Sequence, residues 1–149
     1  MLKSETTKAT GKVNIVVKDE NGKLKEEFTV PNLVVTTGLN FIASRMEGVD
    51  DAVMSHMAVG TDNTTAAASD TTLGAEVAGA RVALTSGVAT GGDMVYTATF
   101  PAGTGTAALT EAGIFNASSA GTMLCRTVFA VINKGAADTM TVTWTITIS

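Results

Sequence analysis

Threonine alternates with apolar residues through residues 139–148, and this alternation constrains the fold more than any other stretch of the chain. A period of two is the geometry of a β-strand, whose successive side chains point to opposite faces of the sheet. The pattern therefore predicts a strand with one buried face and one face of hydroxyl groups. The side chains predicted to point into the core are Met140, Val142, Trp144, Ile146 and Ile148. The predicted outward row is Thr139, Thr141, Thr143, Thr145 and Thr147.

A row of threonine hydroxyls has little chemical reactivity. It does not bind metal ions tightly, it holds no nucleophile of low pKa, and it offers little for acid–base chemistry. The strand therefore favours a structural role over a catalytic one. Two interpretations of the hydroxyl face stay open: a surface that packs against a neighbouring subunit, or the ordinary solvent-facing side of a strand in a monomer.

The low charge of the chain favours assembly with other subunits. Only 16% of its 149 residues are charged and the mean hydropathy is +0.28, so small neutral side chains must cover much of the surface. Such a surface suits close packing between subunits, while the alternative is a soluble monomer solvated by threonine and serine. The length fits one domain whose core needs neither disulfides nor a metal.

Several classes of partner are disfavoured by charge and patterning. A net charge of −4 provides no basic field for phosphates, which argues against nucleic-acid binding. No stretch approaches the roughly 18 consecutive apolar residues of a membrane span. Residues 1–8 lack the apolar region of a signal peptide. The single cysteine, Cys125, lies in an apolar run, which predicts a buried free thiol.

A charged β-hairpin is predicted near the start of the chain. Residues 12–18 and 24–30 both alternate, and residues 19–23 between them contain Asn21-Gly22. This pair can adopt the positive φ angles of a tight hairpin turn, and Pro31-Asn32 is predicted to end the second strand. The acidic residues of the turn lack the spacing of a calcium-binding loop.

The hydrophobic period changes after residue 35, and the new period predicts the only helix. Thr36 or Thr37 can cap its start, and Gly48 can end it. The residues predicted to form its apolar face are Leu39, Ile42, Ala43 and Met46.

The rest of the chain contains further strand patterns separated by turn signals. Strands are predicted within residues 55–60, 81–84, 94–100, 109–115 and 122–131, and a turn is predicted for residues 86–93. Seven or eight strands with almost no helix predict a mainly β protein, an antiparallel β-sandwich whose jelly-roll or immunoglobulin-like order stays open. The predicted organisation is an N-terminal segment with the charged hairpin, residues 1–30, and a β-sandwich domain, residues 31–149.

Two features could carry chemistry, and each has a simpler explanation. Glu47, Asp50 and Asp51 gather carboxylates after the helix, but their spacing fixes no common geometry and favours a solvated loop. His56 is the only histidine, so one chain cannot supply a two-histidine metal site, and we expect a core or interface side chain. The sequence therefore predicts no catalytic, cofactor-binding or metal-binding residues.

Glu111 is the best single candidate for an enzyme, because it is a carboxylate within an apolar strand. The more ordinary explanation is a hydrogen bond in a turn or between subunits, and we expect the chain not to be an enzyme. A sugar-binding module would need exposed aromatic side chains such as Trp144 or Tyr96. Trp144 lies on the predicted apolar side of its strand, which favours a role in the core.

Four segments and the threonine-rich strand together carry a resemblance to a known family. The segments are PNLVVTTGLNFIASRM (31–46), HMAVGT (56–61), LTEAGIFN (109–116) and RTVFAVINK (126–134). As a set they resemble a family of small virion proteins of tailed bacteriophages, over most of residues 31–149.

The resemblance implies a β-sandwich or jelly-roll subunit that assembles as a homotrimer. Proteins of this type serve as capsid decoration or cement proteins, which bind the outside of an expanded head, contact the major capsid protein and stabilise the shell. It implies synthesis in the host bacterial cytoplasm and a final place on the virion, and the charge, patterning and residue content above predict no cofactor and no nucleic-acid or membrane partner. Related LTEAGIF patterns also occur in tail-fibre and baseplate components, so a receptor-binding role there is the alternative.

The charged hairpin, from Lys12 to Phe28, differs in character from the remainder, which is rich in alanine and threonine. One hypothesis is that it reaches the capsid or the next subunit through exposed strand edges. The other is a peripheral hairpin of the same sandwich.

Overall fold

The computed structural model describes residues 6–48 and 52–149, which form a mainly β, antiparallel fold. In chain order its elements are β1 (Ala9–Lys18), β2 (Leu24–Val34), α1 (Thr36–Glu47), β3 (His56–Gly60), β4 (Val82–Ala83), β5 (Ser86–Thr90), β6 (Asp93–Phe100), β7 (Ala107–Phe115), β8 (Met123–Lys134) and β9 (Thr139–Ile148). The nine strands form one sheet in the order β4-β3-β7-β8-β2-β1-β9-β6-β5.

The two edge strands of the sheet, β4 and β5, are separated by only two residues in the sequence. The sheet must therefore curl until its two edges lie close together. The N–H of Leu84 donates to the carbonyl of Ser55, beside β3, and the N–H of Thr85 donates to the carbonyl of Thr97 in β6. This connection therefore joins the two ends of the sheet. The result is a single half-barrel, and the sandwich or jelly-roll arrangement predicted from the pattern is not confirmed.

The inside of the curl is filled by apolar side chains from strands of both halves of the chain. Four of the five inward side chains predicted for β9 are buried, and Trp144 has no exposed surface. Ile148 is 38% exposed, because it is the last residue of β9 and lies at the margin of the sheet. The alternating burial along β9 confirms the predicted two-faced strand.

The predicted hairpin is confirmed, and its first strand lies inside the sheet. β1 pairs with β2 on one side and with β9 on the other, from Ala9 to Lys18. In the turn, the Asp19 carboxylate accepts hydrogen bonds from the N–H groups of Asn21 and Lys23. Within the described residues of this turn only Gly22 has a positive φ angle, 78°, so the prediction that Asn21 shares this conformation is wrong.

The sequence predicted that β2 ends at Pro31-Asn32, but the strand continues through these residues to Val34. The strand changes partner at this point: Asn32 is its last residue paired with β1, and Leu33 and Val34 pair with β8. Proline has no N–H to donate to a neighbouring strand, so it is tolerated near the point where β2 changes its partner. The hydroxyl of Thr127 donates to the Pro31 carbonyl at 2.8 Å, which ties the crossover to β8.

The helix is confirmed, but of its predicted apolar face, Leu39, Ile42, Ala43 and Met46, only Ile42 packs against the core. Gly38 is buried, and Phe41 and Ile42 pack against the main core. Leu39 and Met46, predicted to face the core, are 47% and 87% exposed. The close approach of Gly38 to the backbone of β8, where a Cβ would collide with the Leu124 carbonyl, sets this rotation of the helix.

The two ends of the helix differ in how well they were predicted. Gly48 ends it in the left-handed conformation, as expected. The N-cap is Val35, without a side-chain hydrogen bond, so the prediction of a threonine cap is wrong. Thr37 instead donates its hydroxyl to the carbonyl of Met123 in β8.

Strand β5 occupies a stretch that was predicted to be a turn. It pairs with β6 along its length, and all five of its residues are exposed. Its small side chains show no apolar alternation, because an exposed edge strand buries neither face. The strands predicted around residues 55–60, 81–84, 94–100, 109–115 and 122–131 are confirmed as β3, β4, β6, β7 and β8.

Candidate functional site

A long loop, residues 61–81, lies across the outer face of β3, β7 and β8, and we call it the strap. It connects β3 to β4. Its Leu73 side chain is buried in a second apolar cluster on the face opposite the main core. The other members of this cluster are Val35, Ala58, Phe115 and Met123. The strap therefore gives the β3-β7-β8 part of the sheet two covered faces.

Glu111, in β7, is the centre of the contact between sheet and strap. It is completely buried. One carboxylate oxygen accepts the N–H of Gly74 at 2.9 Å, and the other accepts the N–H groups of Asp62 and Ala75 at 3.0 and 2.8 Å. A buried carboxylate needs such donors, since water cannot reach it. The hydrogen bond predicted as the ordinary role of Glu111 is present, within one chain.

Arg126, in β8, supplies the positive charge beside Glu111. Its Nε lies 3.1 Å from Glu111 Oε1. Its Nη1 donates to the Thr64 carbonyl and to the Asp70 carboxylate, both at 3.0 Å. Its Nη2 lies 3.7 Å from a carboxylate oxygen of Asp62. One buried guanidinium thus connects the sheet to three residues of the strap.

Two glycines let the strap approach the carboxylates closely. A Cβ on Gly60 would lie 2.5 Å from Glu111 Oε2 and 2.6 Å from the carbonyl of Ala75. A Cβ on Gly74 would collide with the Asp62 carboxylate. A larger residue at Gly60 would push the strap away from Glu111, and one at Gly74 would displace the Asp62 side chain within the strap.

A second arginine fixes the other end of the strap. The guanidinium of Arg81 lies 3.9 Å from the centre of the Phe115 ring, within the range of a cation–π contact. It also pairs with Glu76, and its Nη1 donates to the carbonyls of Ala117 and Ala120 in the turn between β7 and β8. Arg81 therefore joins the strap to that turn.

The outer face of the other half of the sheet is uncovered and rich in hydroxyl groups, and we call it the threonine face. Charged side chains, Lys12, Glu27 and Asp93 among them, lie in the rows on either side of its centre. The five threonines of β9 are half-buried there, as predicted for the outward row. One row of side chains crosses five strands in register, and its members are Thr29, Asn14, Thr143, Thr97 and Ser86. No member of this row is charged.

Side chains of the threonine face bond to one another across the strands. Asn14 donates its amide to the hydroxyl of Thr29 at 3.2 Å, and the hydroxyls of Thr99 and Thr141 lie 3.5 Å apart. Such pairs order short side chains at little entropic cost. The central part of the face is therefore a regular array of hydroxyl and amide groups.

An apolar groove runs between the helix and the ends of β5 and β6. It encloses about 600 Å³, and its walls include Phe41, Met54 and Tyr96, with Arg45 at the helix. Burial, with the nearby Cys125 as a smaller cause, raises the pKa of Tyr96 to about 12. Tyr96 is therefore a wall of the groove and part of the core, and not a group that exchanges protons near neutral pH.

The other residues singled out in the sequence do not form a catalytic arrangement with these. His56 is half-buried, and its Nδ1 lies 2.8 Å from the hydroxyl of Ser55. Cys125 is a buried free thiol, as predicted, and burial raises its pKa. Glu47 is exposed, while Asp50 and Asp51 lie outside the described residues. Across residues 6–48 and 52–149 no group of histidine, cysteine and carboxylate side chains could hold a metal ion.

Arg126 and Arg81 are the important residues that the sequence analysis missed. An arginine inside an apolar strand such as residues 123–131 is itself a signal, because arginine is rarely buried without a partner. Nothing in the spacing, however, pairs Arg126 with Glu111 or with carboxylates of a distant loop.

No protein-family model matches the chain, and no curated protein or solved structure is significantly similar to it. Among the described residues, no helix has the length and apolar character needed to cross a membrane.

Proposed function

We propose that the chain is a bacteriophage virion structural protein, a capsid decoration or cement protein. In this proposal it assembles as a homotrimer, binds the major capsid protein on the outside of the expanded head, and stabilises the shell without performing chemistry. The observation that carries the proposal is the threonine face, because its ordered and uncharged central row suits contact with other subunits.

The threonine face has the properties that a reversible subunit contact needs. Its central row is five strands wide and uncharged, in a chain whose net charge is −4. An uncharged row avoids like-charge repulsion at the centre of a contact between acidic copies, and its hydroxyl groups can bond to a partner without burying charge there. We assign to this face the contact with neighbouring subunits or with the capsid.

The segments that carry the family resemblance lie next to one another in the fold. Residues 31–46 form the end of β2 and most of the helix, and residues 56–61 form β3. Residues 109–116 and 126–134 lie in β7 and β8, between β3 and β2 in the sheet order. These four segments therefore correspond to one contiguous part of the sheet and the helix packed on it, while the threonine-rich strand of the resemblance, β9, lies beyond β1.

Five of the eight residues of the LTEAGIFN segment have an identifiable structural role. Leu109, Ala112 and Ile114 are buried in the main core, while Glu111 receives the N–H groups of the strap. Gly113 leaves room for Leu73, which would lie 3.0 Å from a Cβ there. The strap thus packs on this segment, and this supports a rigid structural subunit rather than a reactive centre.

A comparison of particles with and without the protein tests the proposed function. Expanded heads of the virus that encodes the chain would be prepared with the gene intact and deleted, and the temperature of DNA release would be measured. We expect particles made without the gene to release their DNA at a lower temperature. Adding purified protein to these particles should restore the normal release temperature. Equal release temperatures with normal infectivity would contradict the cement role. A loss of host attachment instead would favour the tail-fibre or baseplate alternative.

A further inference from the structure

The strap has few backbone hydrogen bonds to the sheet that it covers. Among the described residues, the N–H of Val77 donates to the carbonyl of Val59, and the strap residue Glu76 forms an isolated bridge with Gly60. The Ala68 carbonyl accepts the N–H of Thr36 at the start of the helix. Most other attachments run through side chains.

Glu111 and Arg126 provide the central attachments. Glu111 accepts three strap N–H groups, and Arg126 binds one strap carbonyl and two strap carboxylates. Hydrogen bonds to charged groups are the strong ones, and a buried partner left alone is costly. The charged groups that face this contact are Glu111 from β7, Arg126 from β8, and Asp62 and Asp70 from the strap.

The surface beneath the strap is a continuous part of the sheet. β3, β7 and β8 pair with one another independently of the strap, and their opposite face is fixed by the main core. Leu73 joins the strap to the second apolar cluster, while Ala80, near the end of the strap, is buried in the main core and Val77 packs against that core. The sheet can therefore remain folded when residues 61–76, the part of the strap before Val77, are released.

We propose that residues 61–76 of the strap open and close as one unit on an intact sheet, and that Glu111 and Arg126 are the latch that keeps the unit closed. Opening uncovers Ala58, Phe115 and Met123 and frees the N–H of Thr36 at the first turn of the helix. The helix and the strap are thereby coupled. This inference does not depend on the proposed function.

Hydrogen exchange read by mass spectrometry tests the latch. The full chain would be compared with Glu111→Gln, which keeps the size of the side chain and removes its charge. Glu27→Gln, an exposed carboxylate on β2, is the matched control. We expect about tenfold or faster exchange of strap amides, Gly74 and Ala75 included, in Glu111→Gln only. Amides of β1, β6 and β9 should exchange at unchanged rates.

Two results would overturn the proposal. Unchanged exchange in the strap would mean that Glu111 does not hold it closed. Equal acceleration in the strap and in β7 and β8 would mean that the strap is not a separate unit. The thiol of Cys125 provides a check on folding, since it is fully buried and should stay unreactive towards a thiol reagent while the sheet is intact.

A milder variant decides the matter if Glu111→Gln does not fold. Asp70→Asn removes one carboxylate from Arg126 Nη1 and leaves the Glu111 pair in place. Faster exchange confined to the strap, with Cys125 still protected, would support the latch. Exchange identical to that of the unmodified chain would contradict it.

Discussion

The guanidinium of Arg126 and the carboxylate of Glu111 form a buried ion pair, with Nε 3.1 Å from Oε1 and exposed fractions of 2% and 0%. A pair of this kind rarely adds net stability relative to apolar residues, because both charges lose their hydration. Its value here is geometric, since each partner also binds the strap. The pair thus determines where the strap lies.

Removal of one partner should be far more damaging than removal of an exposed charge. We predict that Arg126→Met lowers the free energy of unfolding by about 3–5 kcal/mol, because Glu111 is left as an unpaired buried charge. Urea denaturation followed by the fluorescence of Trp144 would measure the change. Lys18→Met, on an exposed position of β1, is the control and should change stability by about 0.5 kcal/mol or less. A similar small effect for both variants would show that the pair is not needed.

Gly60 should tolerate no side chain, because its Cβ would lie 2.5 Å from Glu111 Oε2. We predict that Gly60→Ala destabilises the protein by about 1–3 kcal/mol through forced displacement of the strap. Gly87→Ala is the contrasting variant: its nearest neighbour would be the flexible end of Met94 at 3.1 Å, so its effect should be smaller. Thermal unfolding of both variants would rank them, and the reverse order would contradict this account of Gly60.

The threonine face should be sensitive to charge in assembly but not in folding. Thr143 lies at the centre of the neutral row, so Thr143→Lys should change the free energy of unfolding by about 1 kcal/mol or less. The same change should weaken trimer formation or shell binding by about tenfold or more, because a buried unpaired charge is costly at an interface. Ala137→Lys, in the exposed turn before β9, is the control. Light scattering and shell binding would be measured, and normal assembly of Thr143→Lys would exclude this face as the contact.

Acid should weaken the corner where Lys25 meets Asp138. The hydrogen bond from Lys25 Nζ, 2.6 Å from Asp138 Oδ2, and a second bond from the Gly135 N–H lower the pKa of Asp138. A folded-state pKa below the unfolded value stabilises the protein above about pH 4, and this contribution disappears as pH falls further. Unfolding in urea at pH 7 and pH 3 should therefore show a larger loss for the natural chain than for Asp138→Asn.

The control for the acid prediction is Glu20→Gln, which removes an exposed carboxylate from the hairpin turn. Its loss of stability between the two pH values should equal that of the unmodified chain. An Asp138→Asn protein with an undiminished loss would show that the Lys25 pair does not contribute.

The parts of the fold that the sequence predicted are those in which one face is buried. The alternation in β9 was visible because Trp144 and its neighbours face the core while the threonines do not. Strand β5 was missed because it buries neither face. The helix was found, but its orientation depends on the contact between Gly38 and the backbone of β8, which no periodicity reveals.

The strap contacts could not be predicted, because they join residues far apart in the sequence. Glu111 was identified as unusual, yet its partners include Gly74 and Arg126, on a loop and on the next strand. A carboxylate in an apolar strand indicates that hydrogen-bonding partners exist, but it does not indicate which residues they are. Pairing of this kind follows from the topology of the sheet and not from local pattern.

The most direct test of the cement proposal is a count of copies bound to the head. Purified protein would be mixed with expanded capsids that lack it, the particles would be pelleted, and bound copies per capsomer would be measured, with purified tails as the control. The account predicts saturable binding at a ratio matching the local threefold positions of the shell, and no binding to tails. Absence of binding to capsids would contradict it, and binding to tails would place the protein in a fibre or baseplate.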